Sequence, residues 1–554
     1  MKKTLLIILS LLSSFLFAQW NTNPLINTPV CIATKSQNNT HAVSDTKGGV
    51  IIAWDDNRNN VTGSSDIYAQ RIKNNGFGKW TTNGIAVCSN TLTQKSVAIT
   101  GSGIDGSSIV AWEDNRAGNN DIYAQKIDSS GNVLWTLDGI AVCSKTTSQK
   151  NPKLISDNAG GAIVVWEDSV NFYWDVYAQR ISSSGALLWT ANGVAVCAAP
   201  NIQINPKIDV DDLGGAIITW QDKRNNIDYD IYAQRLNSTG AVQWATNGVV
   251  VCNSIGTQNN ARIEPDGSNG ALISWVDKRV GTDYDIYAQR ISSSGNAMWA
   301  ANGVVVCSAA YNQSAQDMKY LGSNGFVIAW KDFRNGKFDI YIQQLNLSGV
   351  AQLSNNGVLL SNSSSIKSIN PNTISDGLGG SIIVWQDSTA LGFDVYSQKL
   401  NSTGIIQWTA GGVAVSTATD DQVNATHVTD GSGGAIYAWE DRRNTNDYEI
   451  YAHRLYSSGN ANAVSEIMAD KLSTTIYPNP VSNNSIIEIT NNAQRSNWEI
   501  VVFDIYGKQL KRQVLKADET FNLNTTDLSS GIYFYTVELT NKSASTKGKF
   551  IYLQ

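Results

Sequence analysis

One segment recurs eight times along the 554 residues, and this repeat constrains the fold more than any other feature. Each copy has a Trp after an apolar run, an Asp two residues later, a variable loop, an acidic residue before Ile-Tyr or Val-Tyr, and a Ser/Gly turn. Residues 160–197 show the complete pattern. The Trp residues follow one another at 54 to 58 positions: Trp54, Trp112, Trp166, Trp220, Trp275, Trp330, Trp385 and Trp439. A period of this length indicates a repeat architecture.

Each unit contains four predicted strands. In the third unit they are 151–157, 161–168, 175–182 and 186–197. These segments are rich in Val, Ile, Tyr and Trp and are separated by Asp, Asn, Gly and Ser turns, which is typical of antiparallel hairpins. Residues 161–166 are apolar at consecutive positions, which predicts burial on both faces. Four short strands repeated eight times predict an all-β fold, an eight-bladed β-propeller of four-stranded blades.

The two ends of the repeat region complement each other. Residues 19–31 match the last strand of a unit, whereas the eighth unit stops at Gly459 without that strand. We therefore expect the N-terminal strand to complete the last blade and close the ring. The propeller is predicted to span residues 19–459.

The first eighteen residues have the pattern of an export signal. Lys2 and Lys3 precede an apolar run, and Ala18 offers a small residue for cleavage. We expect residues 1–18 to be a signal peptide. No later stretch reaches the roughly 18 apolar residues of a membrane helix, and a net charge of −6 gives no basic footprint for nucleic acid or for an anionic membrane.

The cysteines of this exported chain occupy one repeated position rather than forming obvious pairs. Equivalent points on neighbouring blades should lie beyond the roughly 7 Å Cα separation that a disulfide tolerates. We therefore interpret them as small packing residues, with Ser361 and Ser416 in the same place in the other two units. The cysteines are Cys31, Cys88, Cys143, Cys197, Cys252 and Cys307.

The repeated charged and aromatic residues indicate a structural role, because an active site needs one copy of a residue whereas eight blades need eight. Two acids and an Arg flank one hairpin loop in most units, which predicts a charge-assisted clamp on the ends of the loop. A second Trp near the outer strand predicts packing between adjacent blades. The Arg follows the first Trp by four residues in six units: Arg58, Arg116, Arg224, Arg279, Arg334 and Arg443.

The loops between the Trp and the acidic Ile-Tyr or Val-Tyr element vary, and ligand binding is expected there. Six of them end in an aromatic residue, and the third loop adds two more. Such rings stack on sugars or extended peptides while polar neighbours orient them; packing against the next blade is the alternative. The candidate binding residues are Phe172, Tyr173, Trp174, Tyr229, Tyr284, Phe338, Phe393 and Tyr448.

Recognised catalytic patterns are missing from the sequence. The three histidines, His41, His427 and His453, have no metal-ligand spacing, and no nucleophile-elbow, P-loop or dinucleotide motif occurs. No catalytic residue, metal or cofactor is predicted. Two alternatives stay open: acids from several blades could act on glycans near the axis, and Asp-x-x-Gly turns such as 156–161 and 375–380 could bind calcium rather than form ordinary capped turns.

The repeat pattern ends after Gly459. Residues 460–475 have no strand period and are predicted to be a linker. Residues 476–554 alternate strand segments with turn residues, which predicts a small Ig-like β-sandwich.

This last segment resembles the type A C-terminal sorting domain of type 9 secretion system substrates. The resemblance rests on four motifs in order: YPNP, DIYGK, LSSGIY and a final KxF. The residues that carry it are Tyr477, Pro478, Asn479, Pro480, Asp504, Gly507, Lys508, Gly531, Tyr533 and Lys549. The resemblance implies Sec-dependent export, transport across the outer membrane, contact with the translocon and its outer-membrane shuttle or sortase through residues 476–554, and removal of the domain or its attachment to a surface lipopolysaccharide.

Three functions fit these features. The first is a secreted or cell-surface binding protein or adhesin whose propeller rim engages a glycan or a protein. The second is a glycan-active enzyme, and the third is a structural component of the surface layer. The nearly empty catalytic inventory, beside a large repeated surface with variable aromatic loops, favours binding.

Overall fold

The computed structural model describes residues 20–59, 63–103, 105–170, 172–361, 367–444, 446–461, 473–477, 481, 485–490, 497–516, 521–540 and 545–552. The predicted signal peptide, most of the predicted linker, and Pro478, Asn479 and Pro480 lie outside these residues. The chain divides into two compact units between residues 461 and 462. The domain boundaries at 459/460 and 475/476 stay predictions.

The described part of the first unit consists of strands and one short 3-10 turn, Gly322–Asn324. In chain order the strands are β1 (Thr28–Cys31), β2 (Gln37–Ser44), β3 (Val50–Asp56), β4 (Asp66–Ile72), β5 (Ile85–Cys88), β6 (Gln94–Gly101), β7 (Ser108–Asp114), β8 (Asp121–Ile127), β9 (Ile140–Cys143), β10 (Gln149–Ser156), β11 (Ala162–Val170), β12 (Tyr173–Ile181), β13 (Val194–Cys197), β14 (Gln203–Val210), β15 (Ala216–Asp222), β16 (Asp230–Leu236), β17 (Val249–Cys252), β18 (Gln258–Pro265), β19 (Ala271–Asp277), β20 (Asp285–Ile291), β21 (Val304–Cys307), β22 (Gln313–Tyr320), β23 (Phe326–Asp332), β24 (Asp339–Leu345), β25 (Val358–Leu359), β26 (Lys367–Ser375), β27 (Ser381–Thr389), β28 (Gly392–Leu400), β29 (Val413–Ser416), β30 (Gln422–Thr429), β31 (Ala435–Asp441) and β32 (Glu449–Leu455).

These strands form eight four-stranded antiparallel sheets, which we number in chain order. Strands β2 to β29 form seven sheets of four consecutive strands, and the eighth sheet has the order β30-β31-β32-β1. The first strand of each sheet packs beside the first strand of the next, and β2 also packs beside β30. The sheets therefore form a closed ring, and the predicted eight-bladed β-propeller is confirmed.

The register of each sheet follows the repeat. In the first sheet Trp54 on β3 lies opposite Tyr68 on β4, and Asp56 lies opposite Asp66. The second strand is buried throughout its apolar run, from Val50 to Trp54, as the consecutive apolar residues predict. The aromatic and acidic residues of the repeat thus pair across one hairpin in each blade.

Every first strand contains a bulge at a residue with positive φ. Six of the eight bulge residues are Asn, which tolerates this left-handed backbone better than most side chains. They are Asn39 (φ 55°), Ser96 (58°), Asn151 (57°), Asn205 (55°), Asn260 (53°), Ala315 (50°), Asn370 (52°) and Asn424 (53°). Seven of the eight bulge residues are polar, and Ala315 is the exception.

The N-terminal strand closes the ring, as the sequence predicts. Strand β1 pairs with β32, with Thr28 opposite Ala452 and Cys31 opposite Ile450. The segment just before it also contacts the seventh sheet, because the Asn27 side-chain amide donates to the Val415 carbonyl (2.9 Å). This N-terminal segment therefore contacts both the seventh and the eighth sheet.

The second Trp of the repeat packs between blades, as predicted. Trp20 illustrates the arrangement: its indole N–H donates to the Asn74 carbonyl of the first sheet (2.9 Å). A Cβ placed on Gly76 of that same turn would lie 3.1 Å from the Trp20 backbone, and the φ of 85° at this position also favours glycine. The same contact recurs around the ring, with Leu353 at the equivalent position before Gly404.

The cysteines and the Asp-x-x-Gly turns are structural. All six cysteines are free and buried, and burial raises the pKa of the Cys252 thiol to about 12. In the turn at 156–161, Asp157 accepts the backbone N–H groups of Ala159 (2.9 Å) and Gly161 (2.7 Å) and pairs with Arg180 (3.0 Å). The ordinary capped turn thus accounts for the Asp157 carboxylate. No group of three or more His, Cys, Asp or Glu side chains that could hold a metal occurs in the described residues.

The second unit contains two antiparallel sheets. Its strands are β33 (Ser473–Tyr477), β34 (Ser485–Thr490), β35 (Trp498–Phe503), β36 (Gln509–Leu515), β37 (Phe521–Leu523), β38 (Gly531–Leu539) and β39 (Ser545–Tyr552). The sheet orders are β33-β34-β37 and β36-β35-β38-β39. Ile487 and Phe521 of the first sheet share an apolar core with Trp498, Val537 and Phe550 of the second. The two-sheet arrangement agrees with the predicted sandwich, whereas its Ig-like topology stays a prediction.

In the part of the chain that the structure describes, no helix is long and apolar enough to cross a membrane.

The closure contact gives a stability prediction. Trp20→Ala should lower the free energy of unfolding by about 3–5 kcal/mol, because it removes a buried aromatic side chain at the join between the eighth and first sheets. Urea unfolding of the exported protein measures this, with Phe172→Ala as the control because Phe172 is fully exposed. Equal stability of the two variants would contradict the closure.

Candidate functional site

One end of the ring carries the variable loops between the second and third strands together with the connections between successive sheets; we call this end the loop face. In the first sheet Asp56 is buried just below it. Its carboxylate accepts the indole N–H of Trp54 (2.6 Å) and two hydrogen bonds from the Arg58 guanidinium (2.8 and 2.6 Å). These contacts form the predicted clamp at one end of the loop.

The same guanidinium also joins neighbouring sheets. Arg58 Nη2 donates to Cys31 Sγ of the eighth sheet (3.1 Å) and to the Asn83 carbonyl of its own sheet (2.8 Å), while the guanidinium lies 3.8 Å from the centroid of the Tyr68 ring. Arg443 makes the corresponding contact with Ser416, which takes the place of Cys. The repeated cysteine position is therefore a partner for the next blade's Arg.

The second acid of the loop does not share this clamp, so that part of the prediction is wrong. Asp66 accepts a hydrogen bond from Asn59 of the loop (2.8 Å), and Glu449 does so from Asn444 (2.8 Å). The guanidinium instead binds the first acid alone, because the bidentate geometry and the indole fix it there.

The third sheet lacks the Arg and replaces it with a lysine from the preceding connection. Lys145 pairs with Asp168 (2.8 Å) and lies 4.0 Å from the centroid of the Tyr177 ring. The carboxylate is thus neutralised from a different point in the chain. The sequence pattern alone does not reveal this substitution, since Lys145 lies outside the aligned loop.

A second set of polar contacts links the blades near the axis, and the sequence analysis did not identify it. The residue between the Trp and the Asp reaches the bulge of the next sheet: Glu113 accepts the Asn151 N–H (2.8 Å), and Glu167 accepts that of Asn205 (2.8 Å). The Asp55 carboxylate likewise accepts the backbone N–H of Ser96 (2.9 Å). The recurring Gln-x-Asn at the start of the first strands is the signal that could have indicated this ring.

The axis opens at the loop face into a cavity of about 470 Å³. Amide, carboxylate and guanidinium groups dominate its wall, among them those of Asn39, Arg262, Asn370, Gln386, Asn424 and Glu440. Several of the amides are held by neighbours, since Asn424 donates to Glu440 (3.0 Å) and Asn370 to Gln386 (3.2 Å). The cavity wall is therefore polar and preorganised.

Six of the candidate aromatic residues are half-buried, and most of these lie at the joins between blades. The backbone carbonyls of Tyr229 and Tyr448 accept the N–H of the first residue in the next sheet (2.7 Å each), and Tyr284 packs against the core shared by the fifth and sixth sheets. A lysine ammonium lies over five of these rings. The distances to the ring centroids are 3.7 Å for Lys150 and Trp174, 5.6 Å for Lys223 and Tyr229, 5.3 Å for Lys278 and Tyr284, 4.9 Å for Lys331 and Phe338, and 4.8 Å for Lys367 and Phe393.

The other two candidates project from the loop face. Phe172 is fully exposed and Tyr173 is 46% exposed, at the tip of the long β11–β12 hairpin. The seventh sheet has a hairpin of the same length, β27–β28, with Leu391 exposed at its tip. Because the third and seventh sheets are four places apart in a ring of eight, the two hairpins lie on opposite sides of the axial cavity.

The residues of the sorting motifs form turns and core contacts in the second unit. Asp504 accepts the backbone N–H groups of Tyr506 and Lys508 (2.9 Å each), and Gly507 completes this turn with φ 81°. Tyr533 donates to the Ser529 carbonyl (2.7 Å) and stacks on a core Phe. Three further motif residues lie in strands: Tyr477 ends β33, Gly531 begins β38, and Lys549 lies in β39.

Comparison with known families identifies this second unit. A family model described as the secretion system C-terminal sorting domain matches residues 475–552. Residues 475–552 are therefore a type 9 secretion system sorting domain. No curated protein matches this sequence. The sorting-domain resemblance stated from the four motifs is confirmed.

Several solved structures resemble the chain at low identity. They include the GH93 α-L-arabinofuranosidase of Fusarium graminearum with arabinobiose (10% identity, 53% of this chain and 88% of that chain, TM-score 0.31) and an endo-arabinase from Bacteroides thetaiotaomicron (14%, 48% and 96%, 0.26). A protein of unknown function from Dyadobacter fermentans is a third (9%, 67% and 96%, 0.33). These TM-scores are too low to support an argument about fold or ligand. The assignment of the propeller fold therefore rests on the strand pairing.

The buried acid of the first sheet gives a pH prediction. Burial raises the pKa of Asp55 from 3.8 to about 7, so between these values the folded protein holds a proton that the unfolded chain releases. The wild-type protein should therefore lose stability as the pH rises from 4 to 7. Asp55→Asn removes this titration and keeps an oxygen acceptor for Ser96.

Urea unfolding of both proteins at pH 4, 5.5, 7 and 8 measures the effect. The stability difference should shift in favour of Asp55→Asn up to about pH 7 and then level off. Parallel pH profiles for the two proteins would show that Asp55 titrates normally.

Proposed function

We propose that this chain is an exported glycan-binding protein, with its ligand bound in the axial cavity and on the surrounding loop face. The sorting domain at residues 475–552 supports export by the type 9 system. We expect contact with the translocon through this domain, and delivery of the propeller to the cell surface or the medium. Attachment to surface polymers follows as the biological role.

The observation that carries the binding proposal is the polar axial cavity. Its volume of about 470 Å³ lies in the range of roughly 300–1,000 Å³ typical of small-molecule sites. Sugars present many hydroxyl groups, which match a wall of amides and carboxylates, and Asn370 and Gln386 are already oriented by their mutual hydrogen bond. A preorganised polar wall lowers the ordering cost of binding.

The aromatic residues around the cavity support the same function. Trp174, Tyr229 and Phe338 each present part of a ring at the loop face beside a lysine. Rings of this kind contact the apolar faces of sugar units outside the cavity, and the lysines add hydrogen-bond donors. The hairpins of the third and seventh sheets then border the region that a longer chain would cross.

Binding is favoured over hydrolysis by the state of the acids near the axis. Glu113, Glu167 and Glu440 accept backbone N–H groups of the next blade, and these contacts are repeated from sheet to sheet. A general acid or base has to reach the scissile bond and exchange a proton with it. Carboxylates that hold neighbouring blades together are better explained as scaffold.

A glycan array with purified protein tests this function. Asn370→Ala and Trp174→Ala should each weaken the strongest signals by about tenfold or more, the factor that ~1.4 kcal/mol represents. Ala315 already adopts the same backbone in the sixth sheet, so Asn370→Ala should fold normally.

Phe77→Ala is the matched control, because Phe77 is exposed in a turn at the opposite end of the first sheet. Its binding should equal that of the wild type. An array on which no glycan binds, or on which all three variants bind as the wild type does, would refute the proposed site.

A further inference from the structure

One position on the axis differs in charge from blade to blade. This position lies on the first strand of each sheet, opposite the residue that comes just before the buried Trp on the second strand. Examples are His41, which lies opposite Ala53, and Lys207, which lies opposite Thr219. Around the ring the residues are His41, Ala98, Lys153, Lys207, Arg262, Asp317, Asn372 and Thr426. The third, fourth and fifth sheets thus place three cations side by side.

These three cations line an inner cavity of about 220 Å³. His41 faces them across it, and the rest of the wall is apolar, including Ile99. No acidic side chain lines this cavity among the described residues. The wall therefore combines basic side chains with apolar ones.

The charge of Lys207 is poorly compensated. Arg262 pairs with Asp317 (3.3 Å) and donates to Asn260 (3.0 Å), and Lys153 donates to a backbone carbonyl (3.1 Å). Lys207 has no hydrogen-bond or ion-pair partner among the residues that the structure describes.

Burial, together with the nearby cations Arg262 and Lys153, lowers the pKa of Lys207 to about 7, and Asp317 and Glu167 offset only part of this effect. Even a partly buried cation is destabilised when it has no partner. An oxyanion beside Lys207 would supply the missing partner.

The inner cavity continues the one at the loop face, since His41 and Arg262 line both. We propose that the inner cavity binds the carboxylate or sulfate group of an acidic saccharide, with Lys153, Lys207 and Arg262 as the cationic contacts. This inference rests on the proposed glycan function and specifies its ligand class. The sugar ring then occupies the polar outer cavity, and its oxyanion lies between the three cations.

The chain itself suggests the test variant. Residues 205–207 read Asn-Pro-Lys in the fourth sheet, and 370–372 read Asn-Pro-Asn in the seventh. Lys207→Asn therefore reproduces a side chain that the fold already accepts at this position. Lys153→Asn does the same in the third sheet, where 151–153 also read Asn-Pro-Lys. Lys79→Gln, at an exposed lysine on the outer side of the first sheet, is the matched control for loss of one positive charge.

Isothermal titration calorimetry with trigalacturonate, a sulfated galactan oligosaccharide and a neutral galactan oligosaccharide of equal length tests the proposal. The wild type should bind at least one acidic oligosaccharide about tenfold or more tightly than the neutral one, and the tighter acidic ligand distinguishes carboxylate from sulfate. Lys207→Asn and Lys153→Asn should each remove most of that preference, whereas Lys79→Gln should keep it.

Two results would overturn the proposal in different ways. Equal affinity for acidic and neutral oligosaccharides, unchanged in Lys207→Asn and Lys153→Asn, would refute the anion site and leave the glycan function standing. Binding of no oligosaccharide by the wild type would refute both. Circular dichroism melting of each variant confirms that the compared proteins are folded.

Discussion

In most sheets of the ring a buried aspartate carboxylate lies where the indole N–H of a buried Trp meets the guanidinium of an Arg. In the fifth sheet, Asp277 accepts from Trp275 (2.7 Å) and from two nitrogens of Arg279 (2.9 and 2.6 Å). A buried carboxylate is stable only when it is paired and fully hydrogen-bonded. The Arg279 guanidinium also contacts Cys252 of the fourth sheet (3.1 Å). The guanidinium that makes the carboxylate stable inside one blade thus also contacts the preceding blade.

Much of the fold could be predicted because the same sequence pattern occurs in eight copies that can be compared with one another. Strand number, the buried second strand and the closing N-terminal strand all follow from comparing the copies. The partner of the second acid could not be predicted, since Asp66 is satisfied by Asn59 in a loop whose length varies. Lys145 was missed for a similar reason, because it reaches Asp168 from the preceding connection. Sequence spacing does not encode such contacts between segments.

The candidate site could likewise be predicted only in part from the sequence. The aromatic ends of the loops were identified from the sequence, and they do lie at the loop face, yet most are half-buried at blade joins. The axial residues were not identified, because Lys153, Lys207 and Arg262 look like ordinary strand residues until the ring brings them together. Their positions are equivalent by register, while their chemistry is not repeated. Residues that repeat build the ring, and residues that differ at equivalent positions give one side of the axis its charge.

This division between scaffold and binding residues can be measured directly by comparing Asp277→Asn with Lys207→Asn for stability and for acidic-oligosaccharide affinity. Asp277→Asn leaves Arg279 without its charge partner, so it should lower the free energy of unfolding by about 3–5 kcal/mol, while the folded protein keeps its affinity. Lys207→Asn should keep the stability of the wild type and lose most of the affinity for acidic oligosaccharides. A loss of affinity in folded Asp277→Asn as large as that in Lys207→Asn would contradict the account.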